Sequence, residues 1–174
     1  MPATSRTARA AALALAGLGL TASTLVTTAQ PATAASGGDD RTQTLTAAQR
    51  GSARVVGAKD IAMRQRGDAY AYGGAGPDRF DCSGLVFYSF RRAGFPVPRT
   101  SGAQAGFTRR IAKKDMRSGD LMFFTGSGGV YHAAIFLKWS HGHAVMVHSP
   151  GSGQRVRVAV PWTSSWFGGT LRRR

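Results

Sequence analysis

The 174-residue sequence contains one cysteine, Cys82, and no glutamate. A lone cysteine cannot close an internal disulfide, so the thiol is left for intermolecular pairing or for chemistry. The eight acidic residues face 23 Lys+Arg, giving a formal charge of +15, which excludes an acidic surface and favours polyanionic partners. Beyond residues 10–20 no apolar run is long enough to span a bilayer, so no membrane association is expected after removal of that segment. No cysteine lies directly after that first apolar run, which excludes a lipid anchor on cysteine there, and Arg6 and Arg9 are not adjacent, so a twin-arginine signal is not supported. There is no internal repeat and no nucleic-acid motif, and the basic residues are scattered, so no specific nucleic-acid partner is expected. The histidines of His141-Gly142-His143 lack a carboxylate-rich partner set, so neither a metal nor a cofactor is expected.

The residues present begin with a short basic region at Arg6 and Arg9, the apolar stretch, and small residues at Ala32-Thr33-Ala34. This pattern reads as a secretory signal peptide over residues 1–34. Residues 35–45 read as a flexible leader and residues 46–174 as one compact domain. Removing 34 of the 174 residues leaves 140, and losing Arg6 and Arg9 takes the charge from +15 to +13. A secreted, extracellular or wall-associated monomer follows, with anionic cell-wall polymers as the partner for that charge.

The order of elements predicts an α+β fold, with helices first and an antiparallel sheet after them. Thr46 is an N-cap candidate for a helix over residues 47–65, burying Val55, Val56, Ile61 and Ala62. Asp81 caps a helix over residues 82–92 that stops at Gly94, and a short helix is expected over residues 102–107. Strands are expected over residues 120–124, 131–137 and 144–148, with a polar loop carrying His141 and His143. The stretch 154–160 alternates Arg155 and Arg157 with Val156 and Val158, as a half-exposed strand does.

Cys82 thus falls in the first turn of a helix, where the helix dipole favours a thiolate and, with an imidazolium nearby, lowers the thiol pKa. His132 lies in an otherwise apolar strand and needs a polar partner. His148 ends the next strand, where pairing brings it toward His132. The division of labour expected is Cys82 as nucleophile, His132 as base and then acid, and His148 as the group orienting His132.

Six segments then resemble the NlpC/P60 cell-wall peptidases, a papain-like family. They are Tyr70-Ala71-Tyr72-Gly73-Gly74, Phe80-Asp81-Cys82-Ser83-Gly84-Leu85, Pro98-Arg99-Thr100-Ser101-Gly102-Ala103-Gln104, Ser118-Gly119-Asp120-Leu121-Met122-Phe123-Phe124, His132-Ala133-Ala134-Ile135-Phe136-Leu137 and Val147-His148-Ser149-Pro150. The resemblance implies a papain-like fold with the cysteine helix packed on the sheet. It implies cleavage of peptidoglycan stem peptides, usually between D-γ-glutamyl and a diamino acid. It places Cys82, His132 and His148 in the catalytic positions and Tyr70 beside the thiolate. It puts Asp81, Ser83, Arg99 and Ser101 on the substrate, and leaves Gln104 without an assigned role. Two departures stand out: Ala133-Ala134 replaces a glycine-containing pair, and the connection over residues 138–143 is long. Tyr72 reads as a core aromatic and Asp120 as a turn residue. An amidase cutting between muramic acid and L-alanine with the same Cys–His pair, and a silent wall-binding protein, are the alternatives.

Overall fold

A computed structural model describes residues 45–172. The signal peptide, and all of the leader except Leu45, lie outside the described residues. Helix α1 (Ala47–Arg64) starts at Thr46, whose hydroxyl accepts from Gln49 N–H while the Gln49 side chain accepts from Thr46 N–H. This reciprocal cap satisfies two donors that a helix start otherwise leaves open. Its buried stripe is Val55, Ala58 and Ala62, at helical spacing. Val56, expected inside, is 38% exposed because it sits one residue, about 100°, off that stripe; Ile61 is only half-buried.

Strands β1 (Ala69–Tyr70) and β2 (Arg79–Phe80) form a small parallel pair leading into α2 (Cys82–Arg92). Gly94 follows the α2 C-cap with φ of 83°, a left-handed position that suits glycine. Helix α3 (Ser101–Phe107) precedes β3 (Arg109–Ile111), a 3-10 turn, β4 (Leu121–Gly126), β5 (Gly129–Ser140), β6 (His143–His148), β7 (Arg157–Ala159) and β8 (Trp166–Thr170). The larger sheet has six antiparallel strands in the order β3-β8-β4-β5-β6-β7, so the apolar β5 is interior. Helices followed by this sheet make the fold α+β, as expected.

Side chains alternate across β5, and the two faces carry separate cores. Ala133 and Ile135 join Val55, Leu85, Val86, Phe90, Phe123 and Val147 under the helices. Ala134 and Phe136 join Met122, Phe124, Met146 and Trp166 on the opposite face. Alanine at 133 fits because α2 packs closely there.

The long connection over residues 138–143 is not a loop. β5 continues to Ser140 through an irregularity between Phe136 and Lys138, and pairs Ser140 with His143. His141 and Gly142 form the two-residue turn, both with positive φ (48° and 76°), which matches the twist of a hairpin. β7 is shorter than expected. Val156 is buried, but Val158 is 39% exposed, because β7 is the edge strand and has a neighbour on one side only. Among the described residues no helix is long and apolar enough to cross a membrane.

Candidate active site

Cys82 is the first residue of α2, and Asp81 is its N-cap. The Asp81 carboxylate accepts from Gly84 N–H (2.6 Å), the Ser83 hydroxyl (3.2 Å), Gly73 N–H (2.9 Å) and both arms of the Arg99 guanidinium (3.0 and 2.5 Å). Burial alone raises this carboxyl, but the hydrogen bonds from Arg99 and Gly84 outweigh it and hold the group below the usual carboxylate range. Arg99 also reaches the Ser83 hydroxyl (2.9 Å) and the Gly74 carbonyl (3.2 Å). Gly74 must be close for another reason: its carbonyl packs on Gly84, where an added Cβ would sit 1.9 Å from the oxygen. The loop after β1 is thereby tied to the start of the cysteine helix.

The β5–β6 ladder begins at Ile135 opposite Val147. Just before it, the N–H of Ala133, the residue after His132, lies close enough to the Cys82 sulfur to lower its pKa, as do the N–H groups of Ser83 and Cys82 itself. The sulfur therefore lies against the His132–Ala133 step. Burial pushes the thiol up, these three donors pull it down in part, and the Asp81 charge pushes it up again. The net direction is upward, contrary to the lowered value expected from the helix dipole alone. Desolvation of this half-buried sulfur exceeds what one helix end supplies.

His132 Nε2 lies 3.0 Å from His148 Nδ1, with both rings buried. Burial first, and then His148, push His132 down to about 3; burial and Arg157 push His148 down to about 4. Both imidazoles are neutral at neutral pH. For His132 to accept a proton at Nδ1, its Nε2–H must donate to His148 Nδ1, which puts the remaining proton of His148 on Nε2. That Nε2 is buried with no protein partner among the described residues. With the thiol pushed up and the imidazole pushed down, Cys82 and His132 rest as a neutral thiol and a neutral imidazole.

Trp162 closes this histidine pair from above and was not singled out in the sequence, where it stands among Pro161, Thr163 and Ser164 with no periodic signal. Its ring stacks on Phe124 (4.5 Å between centroids, 9° between planes) and meets His132 at 5.2 Å and His148 at 5.7 Å. Phe124 in turn is the cross-strand neighbour of His132. An aromatic lid keeps water off the His132–His148 bond and so strengthens it.

Cys82 opens onto a cleft of about 430 Å³ shared with Tyr70, Asp81, Ser83, Arg99, Ser101 and Tyr131. Tyr70 has its hydroxyl pushed up by burial first and then by Cys82, once ionised, and Asp81, so it stays a donor beside the sulfur. Tyr72, read from the sequence as a core aromatic, is 93% exposed on the cleft rim. The glycines at 73 and 74 turn the chain there and carry its ring outward. Ser101 lines the cleft with its hydroxyl 3.4 Å from the Val130 carbonyl. Gln104 is fully buried and donates to Ser83 O and Pro98 O (both 2.9 Å), tying α3 to the cysteine turn. Asp120 bonds Arg117 N–H and the Thr170 hydroxyl and pairs with Arg172, and is not part of the cleft lining. His141 and His143 are exposed on the hairpin. Among the described residues no group of three or more His, Cys, Asp or Glu is placed to hold a metal ion.

Comparison with known proteins adds to this geometry. The chain is 41% identical over 92 residues to the probable endopeptidase p60 of Listeria monocytogenes, covering 53% of this chain and 18% of that protein. It is 41% identical over 96 residues to the bifunctional muramidase/DL-endopeptidase CwlT of Bacillus subtilis, covering 53% and 28%. The chain thus spans under a third of the length of these two relatives. Among solved structures it resembles the peptidoglycan hydrolase RipB of Mycobacterium tuberculosis (28% identity, TM-score 0.63, 75% of this chain and 70% of that one). It also resembles the P60 domain of an M. avium subspecies paratuberculosis antigen (29%, 0.62, 71% and 98%). The NlpC/P60 pattern itself matches residues 67–173, which include every side chain of the cleft and the histidine pair, and the protein belongs to the NlpC/P60 family.

Proposed function

We propose that the protein is a secreted cysteine peptidase that hydrolyses peptidoglycan stem peptides at the D-γ-glutamyl–diamino acid bond. The observation that carries this reading is the Cys82 sulfur held against the His132–Ala133 step, with His132 bonded to His148. The sulfur attacks the scissile carbonyl as its proton passes to His132 Nδ1. His132 then returns that proton to the leaving amine, and a water activated by the same ring releases the acyl group from the sulfur. The N–H groups of Cys82, Ser83 and Ala133 stabilise negative charge as it develops on sulfur, and the Tyr70 hydroxyl is the donor assigned to the oxyanion.

Substrate recognition is assigned to the cleft. Asp81 already accepts five hydrogen bonds, so it acts on a substrate amine through charge, with Ser83, Arg99 and Ser101 supplying the polar wall. The Bacillus relative is named a DL-endopeptidase, which agrees with a D-to-L bond as target. Export by residues 1–34 and attraction of the basic mature chain to anionic wall polymers complete the reading.

Mass spectrometry of purified muropeptides after digestion tests it. The reading expects the sugar to keep a stem ending in D-glutamate, with the diamino acid freed. A bare sugar with an intact released stem identifies an amidase instead, and unchanged muropeptides identify a silent wall-binding protein.

A further inference from the structure

We infer that the face of the sheet opposite the helices carries a binding site for the uncharged glycan strand of peptidoglycan, built from Trp139, Trp162 and Trp166. The chain has three tryptophans, and all three line one cleft of about 430 Å³. They come from separate places: the end of β5, the segment between β7 and β8, and the first residue of β8. Trp139 is 42% exposed and Trp162 55%, whereas Trp166 is largely buried as the floor, 6.4 Å from Trp139. Val160, 52% exposed, extends the apolar wall. Large aromatic surface left open to solvent in a concave site marks an interaction surface.

The chemistry of the lining selects the occupant. Among the described residues no carboxylate lines this cleft. The cation there, Lys113, is engaged internally: its ammonium donates to the Ser164 carbonyl (2.7 Å) and sits 4.2 Å over the Trp166 ring. The cleft therefore offers aromatic faces without a free charge. An indole face is electron-rich, and the C–H faces of a pyranose are its complement, while His143 and the Thr163 and Ser164 hydroxyls at the rim suit sugar hydroxyl and acetamido groups.

Continuity with the catalytic pair places this surface on the same polymer. Trp162 lines the tryptophan cleft and also meets His132 and His148. In the wall a glycan lies within a few residues of every stem peptide, at roughly 3.3–3.6 Å per residue. The inference rests on the peptidoglycan reading above, since it takes the glycan from that polymer.

The test titrates the full chain with an N-acetylglucosamine tetramer and follows the three indole N–H signals by NMR. Saturable shifts of these signals with a millimolar or tighter Kd are expected, weakened about tenfold or more in Trp139→Ala (a loss of about 1.4 kcal/mol) and restored in part by Trp139→Phe. Trp139→Ala is further expected to cleave a sugar-free stem peptide within about twofold of the parent, and sacculi about tenfold more slowly. Absence of saturable shifts, shifts only with a glycerol-phosphate polymer, or sacculus turnover unchanged in a folded Trp139→Ala protein overturns the site. If the sugar-free peptide is not cleaved by the parent either, the peptidase reading fails while the indole titration still decides the glycan site.

Discussion

His132 and His148 are the buried imidazoles that dominate the expected pH response, and the proposed chemistry assigns them the base and its orienting partner. Their neutral state is enforced mainly by burial, with His132 pushed down to about 3 and His148 to about 4 from 6.5. In the unfolded chain both regain ordinary values and bind protons that the folded protein refuses. Their contribution to stability is therefore complete above about pH 6.5 and is lost as pH falls through 6.5 toward 3–4. Thermal unfolding followed from pH 7 to pH 4 should show a falling Tm over that interval, and a flat or rising Tm would contradict neutral burial. Kinetics separate the two rings. His132→Ala removes the base itself and is expected to cost several orders of magnitude in kcat, while His148→Ala, which loosens the orientation of His132, costs less. Equal losses at the two positions, read on a soluble stem peptide, would show that His148 moves protons itself. Tyr70→Phe should lower kcat by about 10²-fold with little change in KM, the mark of a donor used only in the transition state.

At the scale of elements, Gly84 is where the cysteine helix and the loop after β1 meet. Gly84→Ala puts a methyl 1.9 Å from the Gly74 carbonyl, which must withdraw and take the Arg99 and Asp81 contacts with it. A loss of about 1–3 kcal/mol by denaturant unfolding is expected, as for other forced contacts in packed regions. A change under about 0.5 kcal/mol would show that the loop is not fixed there. The helix α2 was legible in the sequence because Asp81, the apolar spacing and Gly94 state its start, face and stop. The strands β4, β5 and β6 were legible from apolar runs. β3 and β8 were not, and the reason is packing. Gly168 and Gly169 lie where Met116, Thr108 and Phe123 press on the strand, so β8 reads as a glycine-rich tail without alternation. β3, with Arg109 and Arg110, has the composition of a charged turn. The cleft residues near Cys82 were readable as motif neighbours, whereas Trp162 and the tryptophan cleft depend on contacts across three separated segments.

For the whole molecule, the net charge of +13 proposed after signal removal and the proposed tryptophan cleft would be two independent means of holding a wall. Exposed charges are screened over about 8 Å at physiological salt and about 3 Å at 1 M. Raising salt to about 1 M should release most of the protein from sacculi and leave a fraction that only the tryptophan cleft accounts for. That fraction should vanish in Trp139→Ala, and full retention of this variant at about 1 M salt would show that another surface recognises the wall. Hydrolysis of a small soluble stem peptide should change little over the same titration, because the thiol and its histidine lie inside a shielded site. The proposed chemistry is that Cys82 breaks a stem-peptide bond. Its most direct measurement is the mass spectrum of purified muropeptides after incubation with the parent protein and with a folded Cys82→Ala protein. Stems shortened to D-glutamate are expected with the parent and intact stems with Cys82→Ala; the same shortened stems from both proteins would show that Cys82 is not the nucleophile.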